Sequence, residues 1–98
     1  MAFVQIIQFQ SSKIDEMVKL GDEYEAAIGS DNKARRAMIT EDRDNPGTYF
    51  QMVFFDSHDE AMANSNHPAT QKIAEGMGKL ADGDPTFYNL DVVEDRKL

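Results

Sequence analysis

Phe3-Val-Gln-Ile-Ile-Gln-Phe9 is a short β-branched and aromatic run broken by glutamines, and it predicts a first strand. Ser11 and Ser12 follow as N-cap residues. Beyond them Ile14, Met17, Val18, Tyr24 and Ile28 recur at three- and four-residue steps, with Asp15, Glu16, Lys19, Asp22 and Glu23 on the other side. That spacing predicts an amphipathic helix over 12–28, stopped by Gly29-Ser-Asp-Asn32. Ala34 to Arg43 reads as a weaker strand suited to a sheet edge, because only Ala37-Met-Ile-Thr40 is β-like and charges crowd its end. The turn Asp42-Arg-Asp-Asn-Pro-Gly47 joins it to Thr48-Tyr-Phe-Gln-Met-Val-Phe-Phe55, the strongest strand signal in the chain, and predicts a hairpin. Phe50, Met52 and Phe54 share one wholly apolar face of that strand, while Tyr49, Gln51, Val53 and Phe55 share a mixed one.

Asp56-Ser57 caps a short predicted helix over 58–63, which Asn64-Ser-Asn-His-Pro68 interrupts. Proline at the first helical position favours a restart, and Ile73, Met77, Leu80 and Ala81 form the stripe of a helix from Pro68 to about Leu80. Asp82-Gly-Asp-Pro85 ends it. A last strand over 86–93 sets Tyr88, Leu90 and Val92 against Phe87, Asn89, Asp91 and Val93, and the tail 94–98 is expected to fray.

The resulting order, β-α-β-β-α-β without repeat or linker, predicts a single α+β domain over 1–98: a ferredoxin-like fold with a four-stranded antiparallel sheet. Right-handed crossovers put both helices on one face. The other face is expected to carry Tyr49, Val53, Phe55, Phe87 and Val93, too apolar a patch for water, so a second copy of the same sheet is the simplest cover.

Composition sharpens this. At 98 residues the chain is near the size at which one core suffices, and with no cysteine to staple it, association into a homodimer is the remaining device. Eighteen acidic against ten basic residues give a net charge of −8, which repels phosphate backbones and anionic lipid surfaces and so argues against nucleic-acid and membrane partners. Residues 1–10 lack the basic flank of a signal peptide and the length of a membrane span, which leaves the cytoplasm as the expected location.

Proton transfer by imidazole has only His58 and His67 to draw on. His67, at a helix start, is the catalytic candidate, with a capping role as the alternative; His58, among Asp56, Asp59 and Glu60, reads as solvated. Tyr49, Tyr88 and Asn89 are strand residues whose hydroxyl or carboxamide suits a substrate oxygen. Arg35 and Arg36 point to opposite faces of the edge strand, and the six methionines suit an adaptable apolar pocket or plain core packing. A Gly-rich phosphate loop, a nucleophile elbow, a dinucleotide fingerprint and paired metal-ligating histidines are all absent, so neither cofactor nor metal is expected.

Taken with the order of elements, three stretches resemble the antibiotic biosynthesis monooxygenase-like family of the dimeric α/β-barrel superfamily: Arg43-Asp-Asn-Pro-Gly-Thr-Tyr49, Glu60-Ala-Met-Ala-Asn-Ser-Asn-His-Pro-Ala-Thr-Gln71 and Gly83-Asp-Pro-Thr-Phe-Tyr-Asn-Leu-Asp-Val92. The resemblance covers nearly the whole chain and implies a homodimer with sheets face to face and a pocket in each subunit between sheet and helices. It further implies a cofactor-independent monooxygenase acting on a small aromatic or quinol-like substrate, but the family's functional residues transfer poorly; His67 and Asn89 as catalytic candidates and Gln5, Tyr49 and Tyr88 as substrate-binding ones rest on this chain's own residues. A dimeric small-molecule-binding or structural module without turnover is the other reading. The chain departs from the family pattern in having no tryptophan, in offering Gln5 or Gln8 where haem-degrading relatives use a first-strand asparagine, and in carrying Ala69 where many members have a histidine. Haem is therefore not expected.

Overall fold

The computed structural model describes all of residues 1–98. Its elements are β1 (Phe3–Gln10), α1 (Ile14–Ile28), β2 (Arg36–Glu41), β3 (Thr48–Phe55), α2 (His58–Asn66), α3 (Pro68–Leu80) and β4 (Thr86–Asp91), with one 3-10 turn at Gly29–Asp31 after α1. The four strands form one antiparallel sheet in the order β2-β3-β1-β4, the ferredoxin-like α+β arrangement, with β2 at an edge as its weak pattern predicts.

Local chemistry explains most of the boundaries. The hairpin between β2 and β3 turns on Asp42, whose carboxylate accepts from the Asp44 N–H and the Asn45 side chain, while Gly47 takes the positive φ of 91° that closes the turn. These hydrogen bonds, first that from Asn45, hold the Asp42 carboxyl below its ordinary pKa. α1 starts two residues later than the serines suggest. Ser11 is buried, accepts from the Lys13 N–H and donates to the Leu80 carbonyl, tying the β1–α1 turn to the end of α3 rather than capping α1. α2 runs on to Asn66, past the predicted stop, because polar Asn64 and Ser65 find partners without breaking the helix: Asn64 bonds the chain ahead of β2, and Ser65 returns its hydroxyl to the Ala61 carbonyl.

Strand register decides which face meets the helices. Phe3 opposite Phe55 packs with Ala61 of α2, and Phe9 opposite Tyr49 packs with Met17 of α1, the two rings stacked with centroids 5.6 Å apart. Tyr49, Val53, Phe55 and Phe87 therefore lie on the helix side, the reverse of the sequence-based expectation, while Val93 lies beyond β4 and is exposed. The open face instead carries Val4, Ile6, Met38, Phe50, Met52, Phe54, Tyr88 and Leu90. A two-residue period separates the two sets but does not say which one the helices cover. Here they cover the mixed set, and the uniformly apolar set is left bare.

Only ten of 98 residues are buried, and all six residues of β4 are exposed, so the chain by itself leaves much of its apolar surface in water.

Candidate small-molecule site

A cavity of about 690 Å³ lies between the helices and the helix side of the sheet. Its floor is Gln5 and Ile7 of β1, Ala37 and Ile39 of β2, Gln51, Val53 and Phe55 of β3, and Phe87 of β4. Val18, Gly21 and Tyr24 of α1 and Thr70, Ile73 and Met77 of α3 line it from the helical side. Gly21 matters because a Cβ there meets nothing within 4 Å: its missing side chain is part of the free space. Just over half of the lining, 13 of 25 residues, is hydrophobic, and the rest includes carboxamides, hydroxyls and the charged Asp22 and Glu25 of α1, so the site can select a small organic ligand by shape and orient it by hydrogen bonds.

A polar clamp of Asn32 and Asn64 borders the cavity. Asn64 of α2, 5% exposed, accepts from the Lys33 N–H at 2.8 Å and donates to Asn32 Oδ1 at 2.9 Å, and Asn32 in turn accepts from the Ala34 N–H. Those bonds pin the segment ahead of β2 against α2 and so fix where Ala34, Arg35 and Arg36 meet the cavity. Arg35 is held outward by Asp56, at 2.8 Å from Nε and 2.5 Å from Nη2. Arg36 borders the cavity at the start of β2, but its register opposite Phe54 turns it to the open face, and it has no carboxylate partner.

Of the five site residues predicted from sequence, Gln5 is the one that lines this cavity. The register also settles the choice between the first-strand glutamines. Gln5 is on the helix side and Gln8 on the open face, where it accepts from the Tyr88 hydroxyl at 3.0 Å. Asn89 sits opposite Gln5, whose Nε2 lies 3.5 Å from its Oδ1, a long contact that places Asn89 behind the lining. Tyr49 is buried against Phe9 beneath α1, and that burial, with the charge of Glu41 beside it, raises its phenol pKa.

His67 stands at the joint of α2 and α3. Its Nδ1 accepts from the Ala69 N–H at 3.0 Å, which makes it the N-cap of α3, and its Nε2 lies 3.1 Å from Asp31. Accepting at Nδ1 leaves Nε2 as the protonated nitrogen that donates to Asp31, so both ring nitrogens are engaged by the protein. The structure thus brings Gln5 and Asn89 together, and separates from them His67 at the helix joint, Tyr49 under α1 and Tyr88 on the far face.

Sequence reasoning passed over Tyr24, Thr70 and Asn64. A phenol on the otherwise apolar stripe of α1 was the available signal for Tyr24. Thr70 and Asn64 carry none, because their roles depend on what the fold sets opposite them.

No family model matches the chain, and no curated protein matches it in sequence. Solved structures do. A Caulobacter crescentus protein described as a candidate antibiotic biosynthesis monooxygenase superposes with a TM-score of 0.80 at 18% identity, covering 95% of this chain and 91% of that one. A variant of SnoaB, a cofactor-independent oxygenase from Streptomyces nogalater, gives 0.80 at 13% identity over 96% and 95% of the two chains. A Mycobacterium tuberculosis protein gives 0.79 at 13% identity over 99% and 100%. Identities this low speak for architecture alone, and by architecture the chain has the ferredoxin-like fold of the antibiotic biosynthesis monooxygenase-like proteins.

Proposed function

We propose that the cavity between sheet and helices binds a small aromatic or quinol-like substrate and that the chain oxygenates it without cofactor. The observation that carries this is the cavity itself: about 690 Å³, half lined by apolar side chains and reached by several hydrogen-bonding ones, in a fold shared with a cofactor-independent oxygenase. An ionised quinol is electron-rich enough to react with oxygen directly, so the protein's task is to hold it, keep water away and favour its anionic form. The balance closes without another reagent. A quinol and one O2 yield a hydroxyquinone and one water, all four electrons coming from the substrate. In this reading Gln5 meets the substrate, Asn89 positions Gln5, and His67 acts at a distance by holding α3 in place.

Oxygen uptake in the presence of hydroquinones and naphthols, without added metal or flavin, tests the proposal. Gly21→Leu is the control, because it extends a side chain into the cavity from a position where the first added carbon meets nothing within 4 Å. Uptake in the wild type that falls at least tenfold in this variant supports the reading. Equal rates in both proteins would place the reaction elsewhere, and no uptake across the panel would leave binding without turnover as the function.

We further propose that the chain works as a homodimer through the open sheet face. Ile6, Phe50, Met52, Tyr88 and Leu90 surround a shallow apolar depression there, and a second copy supplies the matching apolar surface. No helix is long and apolar enough to cross a membrane.

A further inference from the structure

Two helices meet over the cavity at a pair of hydroxyls. The Tyr24 phenol of α1 and the Thr70 Oγ1 of α3 lie 2.8 Å apart, both residues line the cavity, and neither hydroxyl has another partner in the protein. Two hydroxyl protons meet in this pair and the shared bond uses one. Whichever oxygen donates, the acceptor's own proton remains, so one O–H donor is left in either orientation.

The surroundings strengthen that donor. Val18, Ile73 and Met77 lie along the same two helices and line the same cavity, with Asp22, Glu25 and Gln71 beside them, and where the pair, half-buried, faces the apolar residues a hydrogen bond to a ligand is worth more than one in water. The carboxamides of the floor are less firmly placed, since Gln5 is held only by a 3.5 Å contact to Asn89 and Gln51 has no side-chain partner. The pair is also braced from two helices, so its oxygens are oriented before a ligand arrives.

We propose that the Tyr24–Thr70 hydroxyl pair anchors a ring-bound oxygen of the ligand, donating one hydrogen bond to a phenol and a stronger one to the phenolate. This rests on the cavity being the functional site and names the ligand class it takes: flat aromatic molecules bearing a hydroxyl. Because the bond strengthens as the ligand ionises, the pair favours the anionic form, against the opposing charge of Asp22 and Glu25 in the same lining.

The test compares α-naphthol with naphthalene, which has the same rings and no oxygen, by fluorescence titration of the wild type and of the double variant Tyr24→Phe/Thr70→Val. Removing one hydroxyl alone would leave the other free to donate, so both must go. Replacing both partners of a bond by apolar groups of similar shape is close to neutral for folding, and retained naphthalene binding confirms it. The expected result is an affinity for α-naphthol about fivefold weaker in the double variant, with naphthalene unchanged. Unchanged α-naphthol affinity in the double variant would overturn the anchor while leaving the cavity in place. A wild type that binds neither probe, or that binds both as well after Gly21→Leu, would overturn the cavity reading and the anchor with it.

Discussion

Tyr49 shows how one residue links packing to pH. Its ring stacks on Phe9 and closes on Met17 beneath α1, so a phenolate there would sit in an apolar setting beside Glu41, and its folded-state pKa is raised. A raised value means that its contribution to stability is complete below the ordinary phenol pKa and is lost as pH climbs through the higher folded value. In an alkaline titration followed by phenolate absorbance and near-ultraviolet circular dichroism, Tyr49 should ionise late and together with loss of packing. Tyr49→Phe should remove that late phase; a late phase surviving in the variant would contradict the assignment. At this scale the sequence could show that Tyr49 was an aromatic on a mixed strand face, but not that the face was the covered one. His67 is the complementary case. Both the capping and the chemical roles were open from its position before Pro68, and the distances to Ala69 and Asp31 show the capping contact directly.

Among the elements, the boundaries most legible in advance were those written into short-range chemistry: the edge strand β2, the turn around Asp42 and Gly47, and the restart of helix at Pro68. The less legible ones depended on distant partners. Ser11 binds the end of α3, and Asn64 binds the segment before β2, neither of which local pattern can reveal. That dependence gives the Asn64 clamp a measurable weight. Asn64→Ala leaves the Lys33 N–H and Asn32 without their partner, a loss of about 2 kcal/mol for a buried, doubly bonded side chain. Urea unfolding should report a loss of that order. A change below about half a kcal/mol, the scatter of surface substitutions, would show that the clamp is solvated and does not order the cavity's border.

For the molecule as a whole, the exposed β4 and the bare face of Val4, Ile6, Phe50, Met52 and Leu90 are surfaces that the chain's own helices do not cover. A homodimer through that face should sediment at low micromolar concentration near twice 11.0 kDa. Phe50→Asp should dissociate it, whereas the same change at Val53, on the helix side, should act first on the cavity and the subunit's own packing. A wild type that stays monomeric there would remove the dimer. The sequence made the need for a cover legible through the alternation in β3, but assigned it to the wrong face, since which set the helices take is settled by how they dock.

The central claim is that the substrate held in the cavity itself reduces oxygen, and labelled gas tests it most directly. With a quinol that supports oxygen uptake, reaction under heavy-isotope oxygen should place one labelled atom in each molecule of product and the other in water, with no metal or flavin added. Product free of label, with the oxygen recovered as hydrogen peroxide, would contradict the account.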